Sequence, residues 1–220
     1  MTPPIVAASP GEARAIADLI ASAFADLPQT AWLVPDEHQR PHVLAGNVLI
    51  FVDHALQYGS VDLFDDRSGA AVWFDRSTPL PPPYRYQHRL EAVCAPYSSR
   101  FRALDELFDT HHPDGPHHHL TFLAVRPGRQ RQGLGTALLN HHHRLLDQTG
   151  MPAYLEASST SSRDLYTRHG YQPHGEPFCI PGCPEPFWPM WRPPNQPATP
   201  ASAETAPDTR PSTPTEARTS

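Results

Sequence analysis

The reading of the chain turns on Val125-Arg126-Pro127-Gly128-Arg129-Gln130-Arg131-Gln132-Gly133-Leu134-Gly135-Thr136-Ala137-Leu138-Leu139. The apolar run from His119 to Val125 enters this stretch as a buried strand and ends at Arg126-Pro127-Gly128. Beyond the glycines, Leu134, Leu138 and Leu145 recur at helical spacing and predict a helix with these three residues on its inner face. A strand that turns through glycine into a helix directs several unpaired backbone N–H groups and the positive end of the helix dipole at one point, where phosphate is the natural guest. Gly133 and Gly135 keep side chains away from that point, and Arg129 and Arg131 add positive charge. No third glycine follows at the dinucleotide-binding interval, and the Gly-Lys-Ser/Thr step of a P-loop is missing. Taken alone, two such glycines would also serve a tight strand–helix connection.

Toward the N-terminus, Ile5 to Ala8 reads as a short strand, and Ser9-Pro10-Gly11-Glu12 has the form of a capping box with proline at the first helical position. Ile16, Leu19, Ile20, Ala23 and Phe24 give the helix that follows an apolar face, and Leu27-Pro28 is expected to stop it. Leu44, Val48, Phe51, Val52 and Ala55 predict a second helix. Val61 to Phe64 and Ala70 to Phe74 flank the turn formers Asp65 to Gly69 and predict an antiparallel hairpin. Leu80-Pro81-Pro82-Pro83 is extended loop, and Tyr86 to Val93 and Phe101 to Phe108 carry helical spacing. Toward the C-terminus, Thr149-Gly150-Met151-Pro152 closes the central helix. Ala153 to Ala157 then reads as a strand, Ser162 to His169 as a helix stopped by Gly170, and Phe187 to Trp191 as a last strand. This order predicts a mixed α/β domain over residues 1–192. Residues 193–220, rich in Pro, Thr, Ala and Glu without an aromatic, are expected to form a disordered tail.

Two motifs carry a resemblance. The first stretch resembles the acetyl-CoA motif of the GNAT acetyltransferases. Leu155-Glu156-Ala157-Ser158 followed by Leu165-Tyr166-Thr167-Arg168-His169-Gly170-Tyr171 is similar to the later strand and helix of that family. The glutamate ten residues before the tyrosine, together with Ala23-Phe24-Ala25-Asp26-Leu27-Pro28, is most similar to its puromycin N-acetyltransferase branch, loosely over residues 10–192. The resemblance implies a largely antiparallel mixed sheet flanked by helices, with a central splay at the acetyl-CoA site. It implies that the backbone of Leu123, Ala124 and Val125 pairs with the pantetheine arm, and that Gln130, Arg131, Gln132, Gly133, Leu134, Gly135 and Thr136 hold the pyrophosphate. Ser162 stands where relatives often carry an asparagine that contacts CoA, and offers a shorter reach.

An ammonium acceptor must lose a proton before it attacks a thioester, and the departing thiolate must gain one. The resemblance places Tyr166 at the sulfur as the acid, although a packed aromatic there would look the same in sequence. Glu156, mid-strand between apolar neighbours, is the expected base, directly or through a water, because partial desolvation raises a carboxylate's pKa. A sheet-edge carboxylate paired with arginine is the alternative reading of that residue. Backbone N–H groups of the Leu123 to Val125 strand would stabilise the oxyanion.

Composition narrows the partners. The chain of 220 residues carries 17 basic residues, all arginine, against 23 acidic ones, for a net charge of −6, and lacks a dense basic run outside residues 126–131, so a nucleic-acid partner is not expected. Three cysteines, Cys94, Cys179 and Cys183, make no even framework of bridges, and Met1-Thr2-Pro3-Pro4 begins no secretory signal, so a cytoplasmic setting is expected. The longest apolar stretch, around Val48 to Val52, is far short of the roughly 20 residues of a membrane span. The 14 histidines include His117-His118-His119 and His141-His142-His143. Three successive helical histidines point about 100° apart and cannot converge on one ion, so solvated or stacking roles and no metal are expected. Cys179-Ile180-Pro181-Gly182-Cys183 lacks the second cysteine pair of a structural zinc site. Asp26, Trp32, Tyr84, Tyr86 and Tyr97 could line an aromatic acceptor pocket, but aromatics at helical or loop positions are more often core filling, and they are not counted as site residues.

The functional expectation is an acetyl-CoA-dependent transfer to the primary amine of a small molecule, in a ternary complex. An aminonucleoside antibiotic or related metabolite is the acceptor the resemblance suggests. The other readings are a protein or peptide amino group as acceptor, and a non-catalytic CoA-binding or partner-binding module.

Overall fold

The computed structural model describes residues 2–195, so nearly all of the expected tail lies outside the described residues. The N-terminal strand β1 (Ile5–Ala7) leads through a 3₁₀ turn (Pro10–Glu12) into α1 (Ala13–Phe24). The Glu12 carboxylate accepts the Ser9 backbone N–H at 3.0 Å, which is the capping interaction that Ser9-Pro10-Gly11-Glu12 predicts. Next come α2 (Pro28–Leu33), α3 (Arg40–Tyr58), β2 (Gly59–Phe64), β3 (Gly69–Asp75), α4 (Tyr86–Cys94) and α5 (Ser98–His111). The second half runs β4 (His118–Val125), α6 (Leu134–Thr149), β5 (Ala153–Ala157), α7 (Thr160–Arg168), β6 (Gln172–Pro173) and β7 (Trp188–Arg192).

The seven strands form one sheet in the order β1-β2-β3-β4-β5-β7-β6. Every adjacent pair is antiparallel except β4 and β5. Those two pair in parallel only at His118↔Ala153 and His119↔Tyr154, and beyond that point they part. The β4 edge from Leu120 to Val125 therefore keeps its β3 partner on one side and has no strand on the other. Here is the splay that the resemblance implies.

A register shift at Val72/Trp73, which pair with Phe122 and Leu120, leaves Thr121 as an extra residue in β4. An extra residue exchanges the faces of the strand beyond it. Before the bulge, Leu120 packs with Trp73, Leu138 and Leu155; after it, Leu123 and Val125 pack on that layer, while Phe122 and Ala124 join the layer of α1 and α3. The core is thus two layers, one on each face of the sheet, and a third cluster joins α3, α4 and α5.

Three expectations need correction. Pro28 begins a helix as well as ending a segment, because a proline at the first helical position sacrifices no hydrogen bond. The last helix starts at Thr160, capped by Ser159, two residues before the expected Ser162. Leu145 lies 51% exposed, whereas Leu139, His142, His143 and Leu146 are buried with Leu134 and Leu138. Beyond Leu138 the buried positions of α6 all lie to one side of it, from His142 through Leu146 to His143, whereas Leu145 lies about 20° to the other side, toward the face that only Leu134 buries in the first turn.

Candidate active site

The cleft where β4 and β5 separate opens into a cavity of about 1080 Å³. Leu123, Ala124, Val125, Gln130, Arg131, Gly133, Leu134, Gly135 and Thr136 border one end. Ser162, Tyr166 and Glu156 line the same cavity, so the two sequence motifs meet in space although they are separated in the chain. Gln132 does not line it: its side-chain oxygen accepts from Arg129 Nε at 3.1 Å and braces the loop. Gln130 also turns inward on the loop, its Oε1 accepting the Gly128 N–H at 2.8 Å.

Backbone geometry gives this loop its character. Gly133 caps α6 at φ 79°, in the left-handed region where a side chain is strained, and a Cβ there would meet nothing within 4 Å. Conformation, not space, requires glycine at 133. At Gly135 a Cβ would sit 3.5 Å from Leu165 Cδ2, an ordinary contact, so neither the backbone nor crowding demands glycine there. The first intrahelical bond reaches Ala137 N–H from Gly133 O, which leaves the earlier N–H groups of the helix facing the loop without helical partners. Open N–H groups, a helix start and an unpaired strand edge suit a ligand with a diphosphate and an amide-bearing arm.

At the opposite end, Glu156 on β5 and His119 on β4 project from the same face of the sheet. His119 Nε2 lies 2.9 Å from Glu156 Oε2, and the side chains are only 12% and 8% exposed. The other atoms of this pair, Glu156 Oε1 and His119 Nδ1, are buried with no partner among the described residues. The arginine pairing considered for Glu156 is not what the structure builds. His112, just past α5, packs edge-on to His119 at 4.9 Å between ring centroids. Burial first, then the nearby His119 and Arg76, lowers His112 to about 3.

The walls around this pair are aromatic and acidic. Phe24, Phe51, Tyr86, Phe101, Phe108 and Phe122 face the cavity, together with Asp105 and Asp109. The Tyr86 hydroxyl donates to Asp105 Oδ2, and burial raises the Asp105 carboxyl to about 6 against the opposing effect of that bond. Of the other residues weighed as pocket from sequence, Asp26, Trp32, Tyr84 and Tyr97 do not line it. Tyr166 is 8% exposed, packs edge-on to Tyr171 and has its phenol pKa raised by burial. The Ser162 hydroxyl donates to Ser159 O at 2.9 Å and accepts the Ser159 N–H at 3.1 Å, so it serves the cap of α7 from the cavity's edge.

Sequence reasoning missed His119, His112, Thr121 and Gln29. Thr121 Oγ1 and Gln29 Oε1 are buried without partners among the described residues and both residues line the cavity, while Gln29 Nε2 donates to Ser158 O at 2.9 Å. The alternation of a strand could have paired His117 with His119 on one face and His118 on the other. Nothing local marked the bulge at Thr121 or the short helix that carries Gln29. The histidine reading is half corrected: His142 stacks on Trp73 at 4.1 Å, but His117, His142 and His143 are buried, not solvated.

With this geometry in hand, residues 102–173 match the family described as Acetyltransferase (GNAT) domain. That match spans about a third of the chain and, with the solved structures below, supports a GNAT-superfamily acetyltransferase domain. Its enzyme class is accordingly N-acetyltransferase, and acetyl-CoA is the co-substrate that the fold uses. A solved structure from Corynebacterium glutamicum, described as histone acetyltransferase HPA2 and related acetyltransferase, is 27% identical, with a TM-score of 0.65 over 90% of this chain and 100% of that one. A putative GNAT acetyltransferase from Desulfovibrio desulfuricans is 18% identical, with a TM-score of 0.53 over 86% and 98% of the two chains. Arylalkylamine N-acetyltransferase 2 from Aedes aegypti shares the fold at 15% identity and a TM-score of 0.54, over 87% of this chain and 99% of that one. Among the described residues, no helix is long and apolar enough to cross a membrane.

Proposed function

We propose that the GNAT domain acetylates the primary amine of a small, partly aromatic molecule directly, with both substrates bound in the one cavity. The observation that carries this reading is the continuity of the cavity: the open β4 edge and the α6 loop lie at one end, and the Glu156–His119 pair lies within aromatic and acidic walls at the other. Aromatic faces and carboxylates attract a cationic amine attached to a ring system. Acetyl-CoA supplies an activated thioester, held through the N–H groups near Gly133 to Thr136 and along Leu123 to Val125.

Within that arrangement Glu156 takes the proton from the acceptor ammonium, and His119, hydrogen-bonded to it, orients the carboxylate. The free amine forms the new C–N bond at the thioester carbonyl. Backbone N–H groups of β4 beside the Thr121 bulge stabilise the oxygen that becomes negative. As the C–S bond breaks, Tyr166 gives its phenolic proton to the sulfur, and the second proton that the nitrogen sheds on becoming an amide restores the phenol. A phenol whose pKa is raised by burial keeps that proton until the thiolate forms.

An aminonucleoside such as puromycin, which joins an amine to aromatic rings, belongs to the acceptor class this pocket suits. Three free thiols agree with a reducing, cytoplasmic setting for such an enzyme. The test is release of CoA thiol from acetyl-CoA by the full chain with puromycin and a panel of arylalkylamines, aliphatic amines and peptides, each product checked for a mass gain of one acetyl group. Turnover on the small aromatic amines is expected. Turnover confined to peptides would overturn the acceptor assignment, and none on any amine despite cofactor binding would overturn the transfer reading.

A further inference from the structure

Glu156 and His119 come from β5 and β4 and His112 from the connection that follows α5, yet one donor atom of each lies within 4.8 Å of the other two. In a tetrahedral zinc site, bonds of about 2.1 Å separate neighbouring ligand atoms by about 3.4 Å, so movements on the order of 1 Å would complete the set. We propose that the acceptor end of the cavity is a transition-metal site in which His112, His119 and Glu156 bind one Zn²⁺-class ion that excludes the amine.

The hydrogen bonds around these residues prepare lone pairs. Gly115 O can only accept, so His117 Nδ1, 2.9 Å away, carries the proton it donates. His117 Nε2 is then an acceptor, and the His112 Nε2 atom 3.1 Å from it is the donor. His112 is left with its lone pair on Nδ1. A metal-binding imidazole whose other nitrogen donates to a fixed partner has this arrangement, because that bond sets the tautomer and the ring orientation. Glu156 Oε1 and His119 Nδ1 supply a second, independent sign: both are buried polar atoms without partners among the described residues, on side chains lying within the cavity wall. An ion at this point meets one carboxylate, two imidazoles and an open fourth position facing the cavity.

Two imidazole nitrogens select zinc, cobalt, nickel or copper over magnesium and calcium, which prefer all-oxygen shells. Arg76, which lines the same cavity, further disfavours ions held by charge alone. Occupation would engage the carboxylate that the transfer reading assigns to the ammonium proton. The inhibitory part of the proposal rests on that reading; metal binding does not.

The experiment takes the full chain, stripped with a chelator, through calorimetric titration with Zn²⁺ and through Co²⁺ titration followed in the visible spectrum. One ion per chain is expected, with intense visible bands of low-coordinate Co²⁺. His112→Gln and Glu156→Gln should each weaken binding at least about tenfold. His141→Gln, a change in the other histidine run, should leave it unaltered. No binding, or binding that survives both ligand changes and is lost in His141→Gln, overturns the site. In the thiol-release assay, equimolar Zn²⁺ should suppress turnover on a small amine and a chelator should restore it. Binding without suppression overturns the inhibitory part alone, whereas binding to a protein that acetylates no amine leaves the site standing and removes the transfer reading.

Discussion

Tyr166 and Glu156 share one cavity but meet different surroundings, and that difference suits them to the different tasks the proposed transfer gives them. Glu156 keeps one oxygen bonded to His119 and one unpartnered, so it can accept a proton without breaking an existing bond. Tyr166 is held in the core against Tyr171, with its phenol pKa raised by burial, so it arrives protonated. Glu156→Gln is expected to lower kcat by about 100-fold or more while preserving the fold, because an amide keeps the shape but cannot take the proton. Steady-state rates on the best amine, set beside acetyl-CoA affinity from calorimetry, check this; an unchanged kcat would remove Glu156 from the mechanism. For Tyr166→Phe the same pair of measurements should give a fall in kcat of similar order with cofactor affinity retained. A matched loss of cofactor affinity would instead mark the residue as packing.

At the scale of elements, the two histidine runs show how a strand and a helix distribute identical residues. His117 and His119 face His112 and Glu156, while His118 turns to the other side and lies 3.1 Å from His142 on α6. The buried arc of α6 makes a direct prediction. Leu146→Ala should cost about 2–4 kcal/mol in denaturant unfolding, whereas Leu145→Ala should stay within about 0.5 kcal/mol. Equal costs would restore the face expected from leucine spacing. The loop makes another: Gly133→Val should weaken acetyl-CoA binding through strain at φ 79°, and Gly133→Ala should share most of that loss because the cause is the backbone. Near-native binding in both variants would separate the loop from the cofactor. The strand–loop–helix unit was legible in sequence because local periodicity and glycine placement mark it, and Glu156 and Tyr166 were legible because they sit in motifs. The bulge at Thr121, the helix at Pro28 and the partners of Glu156 depend on register and long-range pairing, which local patterns do not carry.

For the molecule as a whole, buried neutral histidines between the sheet and its helices tie stability to pH. His143 is 5% exposed, 3.1 Å from the Tyr171 hydroxyl, and lowered to about 3, chiefly by burial and then by Arg192. His54, His117, His118 and His169 are shifted downward as well, each by burial first. An unfolded chain protonates these groups near their ordinary value of about 6.5, so between that pH and about 3 the unfolded state binds more protons at His143 and stability falls with acidification. From pH 7.5 to pH 5 this single group removes up to about 2 kcal/mol. Asp105 works against it: a carboxyl raised to about 6 binds its proton earlier in the folded state, and this returns stability between about pH 6 and pH 4. With six lowered histidines, His112 among them, against one raised carboxyl, the net slope is toward acid lability. Urea midpoints at pH 7.5 and pH 5 are therefore expected to differ by a clear fall at the lower pH, and His143→Asn should reduce the difference because asparagine has no proton to gain. A midpoint that stays level or rises on acidification would mean that these histidines find water or charge partners which the packed core denies them.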